Sequence, residues 1–452
     1  MSVVVVGLGP AGTIATWALA RAGHTVTAID AGTSGSASRA PLAAAAPTLR
    51  SAAHEEAVRA PGPQAGRDGI GGSKLLAAPQ SYRLDPWTLR MRTRVEARHG
   101  PGVLPPGTDV RDWPIDPAEL HEWYERVEHL LRVGPRPSTE WTRRMAAAAR
   151  ALGLQPFEAP AAASRDTGFL LRQAVATGRV TTMPGTTVLE VLTDRSGVAG
   201  VRVHHEGRIR TVTARAVVLA GSVLANVRLL LLSGLGGPAV GRYFMSHNFL
   251  RVRGHFPGVD LDRGSAGPAT ATAVAEYDAD GIDCTREGFV GGSILQAAMT
   301  GPAPSPDPHW GAVWAQPEQL PHRDNTIDLD PVAVDVLGRP VARIAFALHD
   351  DDRRRARHLQ DVMRDWLVAA GAVTTTAEEF AAQPLGTHLY GGARMGTDPE
   401  TSVVDGYGRV HGVPGLVVTG TATFPTCGGR GPVQTVEALA WRSATALAAG
   451  LR

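Results

Sequence analysis

Cysteine is scarce in this chain: Cys284 and Cys427 stand far apart among 452 residues. Two such thiols cannot build a disulfide framework or a zinc site by themselves, and both read as small buried apolar residues. No long unbroken apolar run is present either. The most apolar stretch, residues 216–235, carries Asn226 and Arg228 and is broken by Gly221 and Ser222. It reads as strand, turn and helix rather than as a membrane span. The opening MSVVVVGLG lacks the basic flank and longer apolar segment of a secretory signal. These absences lead to the expectation of a cytoplasmic protein that does not insert in a membrane. Lys and Arg total 45 against 43 Asp and Glu, without basic clusters, so no nucleic-acid partner is expected. No internal repeat or low-complexity tail is found.

What is there is a folded composition. Apolar residues make up 43% and charged residues 19%. The length exceeds one ordinary core and points to two domains, interleaved in sequence. The 52 glycines and 33 prolines imply many turns.

The first thirty residues carry the clearest pattern. A β-branched run at residues 3–6 suits a strand buried on both faces of a parallel sheet. GLGPAG follows and opens a helix in which Ile14, Trp17, Ala18 and Ala22 recur at helical spacing, with Gly23 at its end. HTVTAID is a second strand closing on Asp30. This β-α-β unit is the minimal dinucleotide-binding half. Gly7 permits the tight turn, Gly9 lets backbone approach a pyrophosphate, and Gly12 lets the helix pack against the strand. Ala11 lies in the same loop. The helix start offers N–H groups to phosphates, and Asp30 can accept hydrogen bonds from ribose hydroxyls. The motif alone does not separate NAD from FAD.

Further along, residues 31–68 read as a long excursion without regular elements. GIGGSKLLAAP is a second glycine-rich turn, containing Gly71, Gly72 and Ser73. In DWPIDPAELHEWYERVEHLLRVG a helix is predicted from Pro117, with Asp116 as N-cap and Gly134 as stop. TTMPGTTVLEVLTD, GVAGVRVHHEG and RIRTVTA read as a three-part antiparallel meander. NTIDLDP and RPVARIAFALHD read as strands, and the segment from Asp350 as a helix. Asp350, Asp351 and Asp352 suit a helix N-terminus, where negative charge is favoured, better than a metal site. No metal site is expected. A last helix is predicted from about Pro432.

Several segments resemble the glucose–methanol–choline (GMC) oxidoreductases. GIGGSKL looks like that family's second glycine signature. RAVVLAGSVLANVRLLLLSG is similar to its strand-turn-helix returning to the cofactor, and GRYFMSH to its crossing into the substrate domain. The longest match is HLYGGARMGTDPETSVVDGYGRVHGVPGLVVTGTATFPTCGGRGPVQTVEALAWRSA. Matching segments run from residue 3 to about 445.

The resemblance implies an α/β plus α+β fold: a Rossmann-like FAD domain with an interleaved substrate domain built on an antiparallel sheet. The expected division is 1–85, 165–246 and 385–452 for FAD, and 86–164 and 247–384 for substrate and a helical excursion. Besides the glycine loop and Asp30, the implied cofactor contacts are Gly71, Gly72, Ser73, Val188, Ala220, Gly221, Gly420, Thr421, Pro432 and Val433. GIGGSKLLAAP has no histidine, so FAD is expected to be non-covalent. The implied reaction is oxidation of an alcohol (sugar-like, polyol or natural-product) to a carbonyl, with hydride passing to flavin N5. Partners would be the small-molecule alcohol and oxygen or another electron acceptor. His388 falls on the family's catalytic histidine, where imidazole can take the hydroxyl proton near neutral pH.

One departure stands out. The family's second partner, His or Asn, is replaced by Gly431. Arg430, Gln434 or His247 are the residues considered as substitutes. The alternative is a flavin-binding protein of the same fold with altered or lost chemistry. A pyridine-nucleotide-dependent flavin reductase would need a second complete GxGxxG and a redox cysteine pair, and the sequence shows neither.

Overall fold

The computed structural model describes residues 1–32, 47–50, 58–59, 79–164, 167–261, 270–298, 309–386 and 388–451. Its organising element is a five-stranded parallel sheet in the order Leu416–Val418, Ala216–Leu219, Ser2–Val6, Thr25–Ile29, Val180–Met183. Val3, Val4 and Val5 are buried at its centre, as the unbroken β-branched run requires. Helix Pro10–Arg21 packs on one face through Ile14, Ala15, Trp17 and Leu19, against the final helix Val433–Gly450. Trp17 and Trp441 meet edge to face at 5.0 Å. Trp123 of helix Pro117–Leu131 approaches Trp441 at 5.9 Å, adding a further helix to this layer.

A six-stranded antiparallel sheet forms the second unit. Its order is Thr374–Ala377, Leu250–His255, Trp310–Ala315, Leu295–Ala298, Ala271–Val274, Phe157–Glu158. Helices Asp350–Ala369 and Glu140–Ala151 cover one face with Trp366, Leu359, Met363, Trp141 and Met145, meeting Leu250, Val252 and Val313. Side chains alternate along a strand, so Arg251 and Trp314 belong to the opposite face. Asp351 and Asp352 start their helix as expected, and both also bind the buried Arg355 guanidinium at 2.7 and 2.9 Å.

Three expectations are corrected. Val180–Met183 is not the start of the meander; Pro184 and the positive φ of Gly185 end it, and it becomes the edge of the parallel sheet. The meander proper is Thr187–Asp194, Gly197–His205 and Arg208–Thr213. Helix Pro117–Leu131 is N-capped by Asp116 but stops before Gly134, because Arg132 turns left-handed at φ 50°. Residues 31–68 contain two short strands, Thr48–Arg50 and Val58–Arg59. These extend the hairpin Thr326–Val334/Pro340–Ala345 into a four-stranded sheet. A strand that borrows its partner from three hundred positions away leaves little local pattern.

Candidate functional site

Three glycine turns gather at the carboxyl ends of adjacent parallel strands, where open α/β sheets bind ligands. Gly7 has φ +92°, and a Cβ there would lie 2.8 Å from the Gly221 backbone. A Cβ on Gly12 would lie 1.7 Å from the Gly7 carbonyl oxygen. These two glycines therefore let helix Pro10–Arg21 sit tight on its strand. Gly9 differs: a Cβ there meets nothing within 4 Å. Gly9 is the helix N-cap without a side-chain cap, and Pro10 and Ala11 start the first turn. This is open room at a positive helix end, which fits the approach of a pyrophosphate.

The Asp30 carboxylate accepts from Leu8 N–H at 2.7 Å and Gly32 N–H at 2.8 Å. It thus shapes the glycine loop as well as closing the second strand. Its carbonyl accepts from Thr186 N–H at 2.9 Å, which brings the strand carrying Val188 alongside. Ala220 N–H donates to Val6 O at 2.8 Å, and Gly221 is latched by Asn226, whose Oδ1 accepts from Gly221 N–H at 2.9 Å and whose Nδ2 donates to Gly221 O at 3.2 Å. Gly420, at φ +98°, turns the neighbouring strand end, and Thr421 O accepts from Gly391 N–H. Pro432 is the N-cap of the final helix and Val433 its first residue. Gly71, Gly72 and Ser73 lie outside the described residues.

The second cluster is built on a short antiparallel ladder. Met245 pairs with Tyr390 and Ser246 with Leu389, and His247 N–H donates to His388 O at 3.0 Å. His247 and His388 therefore stand opposite each other, with their Nδ1 atoms 3.2 Å apart. His247 Nε2 donates to Gly428 O at 2.7 Å. That bond fixes the tautomer, leaving His247 Nδ1 as acceptor. The Tyr390 hydroxyl, 3.1 Å away, and His388 Nδ1 converge on it. A proton on His388 Nδ1 directed at His247 would leave Nε2 as the basic nitrogen of His388. Burial pushes His388 down to about 4. Burial, and then the neighbouring His388, hold His247 well below the usual range. Both imidazoles are neutral at neutral pH. Burial also drives the Tyr390 phenol far up, so it keeps its proton.

The substitutes considered for the missing partner are placed differently. Arg430 Nε donates to Asp278 at 2.6 Å, Nη2 to Asp85 at 3.3 Å and Nη1 to Arg83 O at 3.0 Å. Gln434 donates to Glu128 at 2.6 Å, and Glu128 is itself gripped by Arg83. The hydrogen bonds of both residues run to these groups, whereas His247 touches His388 directly. Arg430 and Gln434 each bind a carboxylate at a junction of elements.

Glu318 went unnoticed in the sequence. It is buried, and burial pushes it up to about 7. It accepts from Cys427 N–H at 3.0 Å and lies 3.2 Å from the Cys427 thiol. Cys427 is thus buried as expected, and it also braces the loop that presents Gly428 O to His247. Asn226 carried a readable signal, a polar residue one turn into a largely apolar helix; Glu318 carried none.

A family model described as FAD dependent oxidoreductase matches residues 2–276, and one described as GMC oxidoreductase matches residues 321–440. The chain belongs to the FAD-dependent oxidoreductases and, within them, to the GMC oxidoreductases. It is 27% identical to gluconate 2-dehydrogenase flavoprotein of Pantoea cypripedii, over 84% of this chain and 78% of that protein. It is 29% identical to paromamine 6'-oxidase of Streptomyces fradiae, over 84% and 79%. Its fold is that of formate oxidase from Aspergillus oryzae RIB40, with TM-score 0.68, 16% identity and coverage of 99% and 98% of the two chains. The protein is an enzyme and its cofactor is FAD. Among the described residues no helix is long and apolar enough to cross a membrane.

Proposed function

We propose that the enzyme oxidises a hydroxyl of a sugar-like, polyol or natural-product alcohol to a carbonyl, with His388 as the base. The observation that carries this reading is the Nδ1–Nδ1 contact of 3.2 Å between His247 and His388, together with the 2.7 Å bond from His247 to Gly428 O. A histidine held neutral, with its lone pair on Nε2, is the group an alcohol needs when its carbon gives up hydride. His388 Nε2 takes the hydroxyl proton, the C–H bonding pair leaves as hydride, and the oxygen's electrons close the C=O bond. FAD, when bound, supplies the two-electron acceptor for that hydride.

Residues of the glycine loop (Gly7, Gly9, Ala11, Gly12), with Asp30, Val188, Ala220, Gly221, Gly420 and Thr421, are proposed to hold the cofactor non-covalently. Pro432 and Val433 would face it at the start of the last helix, where a positive helix end favours negative charge. Proposed partners are a small-molecule alcohol and oxygen or another acceptor, in the cytoplasm. The relatives named for gluconate and paromamine support polyhydroxylated substrates.

The test is anaerobic mixing of the FAD-loaded enzyme with gluconate, paromamine and glycerol. Loss of the oxidised flavin's visible absorbance with at least one of them is expected. A flavin that stays oxidised with all three would leave the fold as a flavin carrier without this chemistry.

A further inference from the structure

At Gly431 the family's second partner is missing, and Gln316, more than a hundred positions away in sequence, borders the gap beside His388. A Cβ on Gly431 would lie 3.5 Å from Gln316 Oε1 and 4.0 Å from His388 Cε1. Gln316 and His388 thus flank one small space from two different elements. Gln316 Oε1 is buried and has no hydrogen-bond partner among the described residues. A buried carboxamide oxygen in that state is unfavourable unless something completes it. Two residues back, on the same face of the strand Trp310–Ala315, Trp314 Nε1 is in the same condition. Gln316 and Trp314 therefore each carry an unspent polar atom, and of the two it is Gln316 that borders the Gly431 gap.

The backbone of Gln316 is fixed to the loop that carries Gly431. Its N–H donates to Ser293 Oγ at 2.9 Å, and Ser293 Oγ also lies 3.2 Å from Gly429 O. Ile294 N–H donates to Gly429 O at 3.1 Å. A Cβ on Gly429 would lie 2.7 Å from Ser293 Cα and 2.8 Å from Gly292 O, so loop and strand are in direct backbone contact. The distance between the Gln316 amide and the Gly431 gap is set by this packing and not by a mobile side chain alone.

We propose that Gln316 performs the task of the missing residue at 431: its carboxamide hydrogen-bonds the substrate's reacting oxygen from the side opposite His388. A carboxamide presents its oxygen or its NH2 group by turning about its last bond. The hydroxyl donates its proton toward His388 Nε2 and accepts an N–H from Gln316. As the proton leaves, negative charge grows on that oxygen, and a prepositioned donor in a dry site stabilises it. The Gly431 gap leaves space for substrate bulk beyond that oxygen. This inference rests on the reading of His388 as base.

The experiment compares wild type, Gln316→Ala, the near-isosteric Gln316→Glu, and Gln316→Ala/Gly431→Asn. Each is loaded with FAD and mixed anaerobically with whichever of gluconate, paromamine or glycerol reduces the wild type. Flavin content and melting temperature are measured beside the rate of flavin reduction. Gln316→Ala is expected to lower that rate by about 10²-fold, the usual cost of losing one oxyanion donor, with flavin content unchanged. Gln316→Glu is expected to be slow as well, and it carries the test should the alanine variant not fold. Restoring a side chain with Gly431→Asn is expected to recover about tenfold or more in the alanine background. Wild-type rates in both single variants overturn the proposal, as does a slow Gln316→Ala that Gly431→Asn leaves unimproved. Failure of the underlying reading looks different: no alcohol bleaches the wild type, or His388→Ala reduces as fast as wild type.

Discussion

His247 donates through Nε2 to Gly428 O and meets His388 Nδ1 to Nδ1 at 3.2 Å. The two rings are inclined at 63°. By accepting a hydrogen bond from His247 Nε2, the Gly428 carbonyl leaves His247 Nδ1 as the acceptor that faces His388.

Burial keeps His388 near about 4, below the ordinary histidine value. A base must be unprotonated, so flavin reduction should be flat from about pH 8 to about pH 5 and fall as pH drops through about 4. Stability changes with the same sign. The unfolded chain binds the extra proton, so this histidine's contribution is whole above about pH 6.5 and is lost as pH falls toward about 4. Reduction kinetics measured across that range check the point, and a break near about 6.5 would remove this account of the base. His388→Ala should slow reduction by about 10² or more while FAD stays bound.

His247 acts through His388. His247→Ala removes both the Gly428 bond and the acceptor at Nδ1, so His388 is free to protonate or turn. The expected result is a reduction rate at least about tenfold lower, with an altered pH profile and normal FAD content. A slower rate with an unshifted profile would mean that His247 only fills space.

Gly9 and Gly12 differ in what surrounds them. Gly12→Ala puts a methyl 1.7 Å from the Gly7 oxygen, so the variant should be insoluble or melt far lower. Gly9→Ala meets open space at φ −68°, which alanine accepts. It should fold normally as apoprotein yet lose FAD on gel filtration, because the methyl stands where a pyrophosphate approaches. A fully yellow Gly9→Ala variant would put the phosphates elsewhere.

Asp30→Ala should weaken FAD retention and also lower the apoprotein's melting temperature, since two backbone N–H groups lose their acceptor. Each such charge-assisted bond is worth about 1.5–3 kcal/mol. Calorimetry of the apoprotein separates the two effects; an unchanged melting temperature would leave only the ribose contact.

Arg430→Ala should damage stability before chemistry. Burial pushes the Asp278 carboxyl up even with Arg430 beside it. Removing the guanidinium leaves a buried charge without its partner, at a cost of about 3–5 kcal/mol. Urea unfolding of Arg430→Ala and of Arg430→Ala/Asp278→Asn measures this. The second substitution should recover part of the loss; if the double variant is no more stable than the single, Arg430 holds the junction in another way.

The sequence by itself determined the parts written in adjacent residues. The strand, glycine loop, helix and Asp30 are local because one β-α-β unit must close within about thirty residues. The resemblance of the long C-terminal segment pointed to His388 and to Gly431 as positions of interest. Tertiary structure alone decided the rest. Arg430 and Gln434 stand close to Gly431 in sequence, but only packing brings Asp278 and Asp85 against the first and Glu128 against the second. His247 and Gln316 lie far from His388 in sequence, and only a two-residue ladder and a strand end carry them to it. Spacing along a chain sets which atoms share a turn; which buried polar groups meet is decided by sheets that assemble from distant strands.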